Sequence, residues 1–183
     1  MQKTITIFLA SSEELAQERK DFEYFIYQRC KALGVLIEVI AWENTISNSM
    51  SKTRLQDKYN EIIPSCDMFV GLFYTKVGKW TEEEFDIAWK SFHKSDKPKL
   101  FTYFKKVKKQ DKQDSLQEFL NKLSGLGHFP TVYKNTEDLH LQLRDELERY
   151  FNEVEVEVET DKTVVQNADK IYNIGKIDKA EFK

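Results

Sequence analysis

Short runs of apolar and β-branched residues alternate along this chain with longer stretches in which apolar residues recur every three or four positions. The short runs are typical of strands buried on both faces of a parallel sheet, and the longer stretches are typical of amphipathic helices. We therefore predict five strands, at residues 4–9, 36–42, 68–74, 99–104 and 131–133.

Four helices are predicted between and after these strands. The first begins where Ser11 and Glu14 have the spacing of a capping box, and it ends at Gly34. The others are expected at residues 54–63, after the segment Gly78-Lys79-Trp80-Thr81 that introduces the third helix, and at residues 137–151. The last two are expected to turn an apolar face to the core, and these faces consist of Phe85, Ala88, Trp89 and Phe92, and of Leu139, Leu143, Leu147, Tyr150 and Phe151.

The regular alternation of strand and helix predicts an α/β fold, in which a parallel five-stranded sheet carries helices on both faces. In such open sheets a ligand binds at the carboxyl ends of the strands, where the strand order reverses. The candidate pocket is therefore formed by the residues that follow the first three strands, which are Ala10, Ser11 and Ser12, then Trp42 and Glu43, then residues 74–80. The Asn- and Ser-rich segment at residues 44–53 is expected to be a mobile loop.

The composition predicts one compact domain and a tail. The chain has 183 residues, of which 40% are hydrophobic and 32% charged, as in an ordinary globular protein. We expect the domain to span residues 1–152, and residues 153–183 to form a linker or a flexible C-terminal tail. The alternation of Val with Glu at residues 154–159 leaves an edge strand open as an alternative.

Charge and motif content exclude several classes of protein. The formal net charge of -3 predicts no general attraction to nucleic acid or to an anionic membrane, and the lysines at residues 105–112 are expected to form a solvated loop. No apolar segment approaches the roughly 20 residues of a membrane helix and no leader precedes the first strand, so a cytoplasmic protein is expected. Neither a phosphate-binding glycine motif nor a metal-ligand pattern is present.

The segment from Trp80 to Phe85, in the order Trp-Thr-Glu-Glu-Glu-Phe, resembles the WxxxE signature of bacterial TIR (Toll/interleukin-1 receptor) domains, and the resemblance covers about residues 3–152. It implies a flavodoxin-like three-layer sandwich, with Glu84 at the start of the third helix facing an NAD pocket. It also implies that residues 44–53 cover the pocket and take part in self-association. The start of the chain, with residues 7–12 and the pair Glu18-Arg19, is similar to a TIR-related family of bacterial conflict proteins.

The tail carries a second resemblance, because residues 167–174 are similar to the linker that follows effector domains in bacterial immune proteins with a NACHT-type or related NTPase. This resemblance implies that the chain is one module of a longer protein with an NTPase or sensor module at its C-terminal side.

The TIR resemblance implies an NAD glycohydrolase, an effector of antiphage immunity that cleaves the bond between nicotinamide and ribose and uses NAD as substrate with no separate cofactor. A fixed anion beside the ribose is the main chemical requirement, since positive charge builds on the sugar as the bond breaks. Glu84 is the candidate catalytic residue, and Glu83 is the next candidate. We assign substrate binding to Phe8, Trp42 and Trp80 as aromatic contacts, to Ser11 and Ser12 as the diphosphate seat, and to Lys76 and Lys79 as additional charge.

Structural roles compete with these assignments. Thr81 and Glu84 also have capping-box spacing, so Glu84 can be a helix cap, and Ser11 and Ser12 can be caps as well. Two other functions remain open: a TIR domain that only binds other TIR domains as an adaptor, and an enzyme similar to nucleoside deoxyribosyltransferases, which also place a carboxylate at a nucleotide sugar.

Overall fold

The computed structural model describes residues 4–41 and 55–153. The chain divides into two compact units: Met1–His140, which contains the whole sheet, and Leu141–Lys183, of which residues 141–153 are described. Trp42 and the segment at residues 44–53 lie outside the described residues, as does almost all of the predicted tail. The predicted domain boundary at residue 152 therefore stays a prediction.

The five predicted strands are confirmed and form one sheet. They are β1 (Thr4–Ser11), β2 (Leu36–Ile40), β3 (Met68–Phe73), β4 (Lys99–Lys105) and β5 (Thr131–Tyr133). Every neighbouring pair is parallel, and the strand order is β2-β1-β3-β4-β5. This is the order of flavodoxin-like sheets, in which the chain first runs to one side of β1 and then returns to the other. The order reverses between β1 and β3.

The described residues contain five α-helices. They are α1 (Ala16–Leu33), α2 (Leu55–Ile62), α3 (Lys79–Ser95), α4 (Asp114–Gly125) and α5 at residues 136–153. Since crossovers between parallel strands are right-handed, connections that run in opposite directions along the sheet place their helices on opposite faces. The predicted α/β fold with helices on both faces is thus confirmed. None of the described helices is long and apolar enough to cross a membrane.

Helix α4 was missing from the sequence prediction, although its pattern is present. Leu116, Phe119, Leu120 and Leu123 recur with helical spacing, and three of them are buried. The lysines at residues 105–112, predicted to form a solvated loop, include a short 3-10 turn at Lys109–Asp111, and α4 begins three residues after it at Asp114.

An aromatic core joins α2, α3 and α4 to one face of the sheet. The ring of Phe119 lies 4.8 Å from that of Phe73 and 5.1 Å from that of Phe85, measured between centroids. Phe85 and Ala88 are fully buried on the inner face of α3, as predicted, whereas Trp89 is only partly buried against the cluster. This packing fixes α3 over the sheet and so determines where its first turns lie.

The start of α1 differs from its prediction, whereas its end agrees. Gly34 terminates the helix in the left-handed conformation at φ 66°, which glycine adopts without steric cost. The expected capping box of Ser11 and Glu14 is wrong. A 3-10 turn at Glu13–Leu15 precedes α1, and neither the N-terminus of this turn nor the N-terminus of α1 has a side-chain cap. The Glu14 carboxylate is directed to the loop after β3 instead.

The predicted apolar face of α5 is buried for most of its length. Leu139 is fully buried in the first unit, and Leu143, Leu147 and Tyr150 are buried in the second, while Phe151 is partly exposed.

Candidate active site

A cleft of about 540 Å³ opens at the carboxyl ends of β1 and β3. This is the reversal point of the strand order, where open α/β sheets bind ligands. The lining residues come from the end of β1 with the turn that follows it, from α2, from the loop between β3 and α3, and from the first two turns of α3. They are Ser11, Ser12, Glu13, Gln56, Tyr59, Lys76, Gly78, Trp80, Thr81 and Glu84.

Glu84 lies in the second turn of α3. The helix begins at Lys79 with Gly78 as its N-cap, and the carbonyl of Gly78 accepts the amide hydrogen of Glu82 at 3.0 Å. Thr81 is therefore two residues inside the helix, and the capping box of Thr81 with Glu84 is not formed. Glu84 and Phe85 are consecutive on α3 and point in different directions. Phe85 lies in the core, and Glu84 lies at the cleft, where it is only 8% exposed.

The environment of Glu84 favours its neutral form more than water does. Burial raises the pKa of the Glu84 carboxyl from its ordinary value of 4.5 to about 7, and the negative charge of Glu83 adds to this rise. A hydrogen bond from Gln56 Nε2 to Glu84 Oε1, at 2.9 Å, acts in the opposite direction. Glu84 is consequently balanced between its ionised and protonated forms near neutral pH.

Glu83, the second candidate from the sequence, does not line the cleft. Its Oε1 atom accepts a hydrogen bond from Asn60 Nδ2 at 2.7 Å, between α3 and α2. Of the adjacent glutamates, it is Glu84 that is presented to the cleft.

The two serines at the end of β1 both line the cleft, but their hydroxyl groups have different roles. Ser12 Oγ donates to Glu14 Oε1 at 3.0 Å. Ser11 Oγ accepts from Nη1 of Arg19 at 2.7 Å, and the same Nη1 donates to the carbonyl of Ser12 at 2.8 Å. Because a guanidinium can only donate, the hydrogen of the Ser11 hydroxyl remains available for an acceptor in the cleft. Arg19 itself is 1% exposed.

Hydrogen bonds of Glu14 connect the turn after β1 to the loop between β3 and α3. Its carboxylate accepts hydrogen bonds from the Thr75 amide at 3.0 Å, from the Thr75 hydroxyl at 2.6 Å and from the Lys76 amide at 3.4 Å. The backbone of Lys76 is thereby held at the cleft, and its exposed side chain is one of the lining groups.

The remaining residues predicted to bind substrate lie at different depths. Trp80 is 47% exposed and lines the cleft. Lys79 is exposed and is absent from the lining, and its Nζ atom lies 5.3 Å from the centroid of the Trp80 ring. Trp42 lies outside the described residues.

Phe8 corrects the sequence interpretation. The expectation that its ring contacts a nucleotide is not met, because Phe8 is 2% exposed, stacks on Phe69 at 5.9 Å and does not line the cleft. Tyr59 of α2 lines the cleft instead of Phe8, and its ring contacts the Phe8 ring edge-on at a centroid distance of 6.4 Å. Gln56, Tyr59, Glu14 and Arg19 were not predicted as site residues.

No protein-family model matches the chain, and no curated protein does. Among solved structures, it is similar to the RPS4 and RRS1 TIR domain heterodimer, with a TM-score of 0.53 and 13% identity over 81% of this chain and 99% of that one. A CMP N-glycosidase of Clostridium botulinum, BcmB, gives a TM-score of 0.49 at 17% identity, covering 76% of this chain and 98% of that one. A conserved protein from Enterococcus faecalis V583 gives 0.48 at 11%, covering 79% and 99%. The chain has a TIR-like α/β fold.

Proposed function

We propose that this chain is an NAD glycohydrolase that breaks the bond between nicotinamide and ribose, with Glu84 as its catalytic residue. The observation that carries the proposal is a buried carboxylate with a pKa near 7 at the wall of a cleft at the sheet's reversal point. A volume of about 540 Å³ lies within the usual range of small-molecule sites. Perturbed carboxylates in such clefts are typical of active sites.

The proposed reaction consumes one water and releases one proton. The bond between the ribose C1′ atom and the pyridinium nitrogen breaks, its electron pair leaves with neutral nicotinamide, and positive charge spreads over C1′ and the ring oxygen. Ionised Glu84, which is itself largely buried, stabilises this charge. Water then attacks C1′, and Glu84, with a pKa near 7, accepts the proton before passing it to solvent. Attack by the adenine ring instead of water gives the cyclic product.

The lining also offers groups for the rest of the substrate. The Ser11 hydroxyl, which accepts from Arg19, donates its own hydrogen to a diphosphate oxygen, and Lys76 supplies a positive charge. The exposed ring of Trp80 provides a stacking surface for a nucleotide base. Ser12 is a weaker candidate for donation, since its hydrogen is directed to Glu14. Lys79 contributes charge only from outside the lining.

We further propose that the protein acts in the cytoplasm as an effector of antiphage immunity, and that association of TIR-like domains switches it on. Similarity to a structure that is itself a heterodimer of TIR domains supports self-association. The linker-like residues 167–174 support a C-terminal NTPase or sensor module in a longer protein. NAD is the substrate in this proposal, and no separate cofactor is required.

The test is NAD consumption with nicotinamide release, measured for the native chain at high concentration and with its copies forced together. Glu84→Gln keeps the size and hydrogen-bonding capacity of the side chain but removes its charge, so we expect turnover to fall by about 100-fold or more. Glu82→Gln is the matched control, because this substitution makes the same charge change on the same helix. Glu82 pairs with Lys122 and does not line the cleft.

Three other results have different meanings. Equal turnover in the native chain and the folded Glu84→Gln variant would exclude Glu84 as the catalytic group. Transfer or hydrolysis of deoxynucleosides with no effect on NAD would favour the deoxyribosyltransferase-like enzyme. No turnover under any forced association would favour the adaptor, which needs no catalytic carboxylate.

A further inference from the structure

A chain of side-chain hydrogen bonds connects α2 to the carboxylates of α3. Asn60 Nδ2 donates to Glu83 Oε1 at 2.7 Å, and Gln56 Nε2 donates to Asn60 Oδ1 at 3.3 Å and to Glu84 Oε1 at 2.9 Å. Gln56 and Asn60 are one helical turn apart on α2, whereas Glu83 and Glu84 are neighbours on α3. The four side chains therefore form one continuous path that ends at the cleft.

The direction of every bond in this path follows from the chemistry of its ends. An ionised carboxylate only accepts, so Glu83 holds the NH₂ group of Asn60 toward itself and turns the Asn60 oxygen toward α2. That oxygen in turn requires the NH₂ group of Gln56, whose two hydrogens reach Asn60 and Glu84. The amide of Gln56 is thus fixed with its donor side toward Glu84, because the opposite orientation would place its oxygen against the Asn60 oxygen and, when Glu84 is ionised, against a carboxylate oxygen.

We propose that Gln56 is a positioning residue for Glu84: it holds the Oε1 atom, leaves Oε2 for the ribose of the substrate, and favours the ionised form that the reaction uses. Asn60 and Glu83 set the orientation of Gln56. This proposal rests on the proposed function, in which the Glu84 carboxylate must be ionised as positive charge builds on the sugar. Gln56 lines the cleft, but its side-chain NH₂ group donates to the Glu84 carboxylate. Its effect on the reaction is therefore exerted through Glu84.

Other charged or titratable groups lie around the cleft or beside Glu84. Tyr59 from α2, Glu13 from the turn after β1 and Lys76 from the loop after β3 line the same cleft, and Glu83 is the neighbour of Glu84 on α3. Glu83 and Gln56 act on Glu84 in opposite directions, since the charge of Glu83 raises the pKa of Glu84 and the hydrogen bond from Gln56 lowers it. Removing one or the other must therefore move the titration of Glu84 in opposite directions.

Two variants test this opposition. Gln56→Met keeps the length of the side chain but removes the donor, and we expect the acidic limb of the kcat profile for NAD to move upward by about one to two pH units. Turnover then falls about tenfold or more below neutral pH and recovers at alkaline pH, with little change in KM. Glu83→Gln retains an oxygen acceptor for Asn60 but removes the charge, and its acidic limb is expected to move downward.

Carbon-13 NMR titration of the Glu84 carboxyl, in the full chain without substrate, separates this proposal from the proposed function. We expect the Glu84 midpoint to rise in Gln56→Met and to fall in Glu83→Gln. Opposite shifts without NAD turnover in any variant would refute the glycohydrolase and still support the positioning of the carboxylate by Gln56. A Gln56→Met protein that titrates at the native midpoint would overturn the proposal. Glu83→Gln keeps the test informative if Gln56→Met does not fold.

Discussion

The Glu84→Gln substitution is expected to stabilise the protein at neutral and alkaline pH. Glu84 is 8% exposed, and burial raises its pKa from the ordinary value of 4.5 to about 7. The folded state therefore binds a proton on this group more tightly than the unfolded state does. Stability from this group is fully present below about pH 4.5 and is lost as the pH rises toward 7, because the folded protein must then hold a buried negative charge.

The magnitude follows from the difference between the two pKa values. A rise from 4.5 to about 7 corresponds to about 3 kcal/mol of unfolding free energy. Glutamine resembles the neutral acid in size and polarity but does not titrate. The stability of Glu84→Gln relative to the native chain should accordingly increase by about 3 kcal/mol between pH 4.5 and pH 8.

Urea unfolding of both proteins at several pH values between 4.5 and 8 measures this difference. Subtracting the unfolding free energy of the native chain from that of Glu84→Gln at each pH removes the contribution of the other titrating groups. Glu82→Gln provides the control, since Glu82 lies outside the cleft and is substantially exposed. A stability difference between native and Glu84→Gln that stays constant across this range would refute the reasoning: the carboxyl would then be as well solvated in the folded state as in the unfolded one.

Two further predictions concern the ends of β1. Ser11→Ala should weaken the binding of ADP-ribose by about tenfold, because a charge-assisted donor is lost, whereas Ser12→Ala should change the affinity little. Titration calorimetry measures both affinities, and equal effects of the two substitutions would contradict the assigned directions of the hydroxyl groups. Although burial acts to raise it, the pKa of Asp67 is lowered by hydrogen bonds from Lys97 and Thr6. Asp67→Asn should therefore cost about 1–3 kcal/mol at pH 7, and the cost should shrink as the pH falls below 3.8, which pH-dependent denaturation measures.

The centre of the sheet was predictable because β1 and β3 are short, apolar and almost entirely buried, so their pattern is nearly independent of tertiary detail. The face to which each side chain points was harder to predict. A strand buried on both faces has no alternation to read, and Phe8 was therefore interpreted as a cleft residue although it lies in the core. Spacing alone was also insufficient for Ser11 and Glu14: they have the spacing of a capping box, but Ser11 pairs with Arg19 and Glu14 with Thr75.

The site was predictable only in part. Glu84 stands out in the sequence because it follows Trp80 by four residues and precedes a core phenylalanine, and the topology brings it to the predicted edge of the sheet. Its partner Gln56 is 28 positions away on another helix, and nothing in the local pattern of α2 connects the two. Arg19 shows the same difficulty, since a buried arginine on α1 becomes meaningful only when Ser11 is found beside it.

All ten cleft-lining residues lie between Ser11 and Glu84, so among the described residues the half of the sheet formed by β4 and β5 contributes none. Strand β4 and helix α4 instead pack against α3, β4 through the aromatic core and α4 through that core and the ion pairs of Lys122 with Glu82 and Asp86. The residues that line the cleft and the residues that support α3 thus come from different stretches of the described chain.

The segment after β4 nevertheless reaches the cleft indirectly, because the Gln113 amide donates to the Thr75 carbonyl at 2.9 Å and the Val77 amide donates to Ser115 Oγ at 3.2 Å. A change of length in that segment would therefore shift the loop between β3 and α3, which lines the cleft.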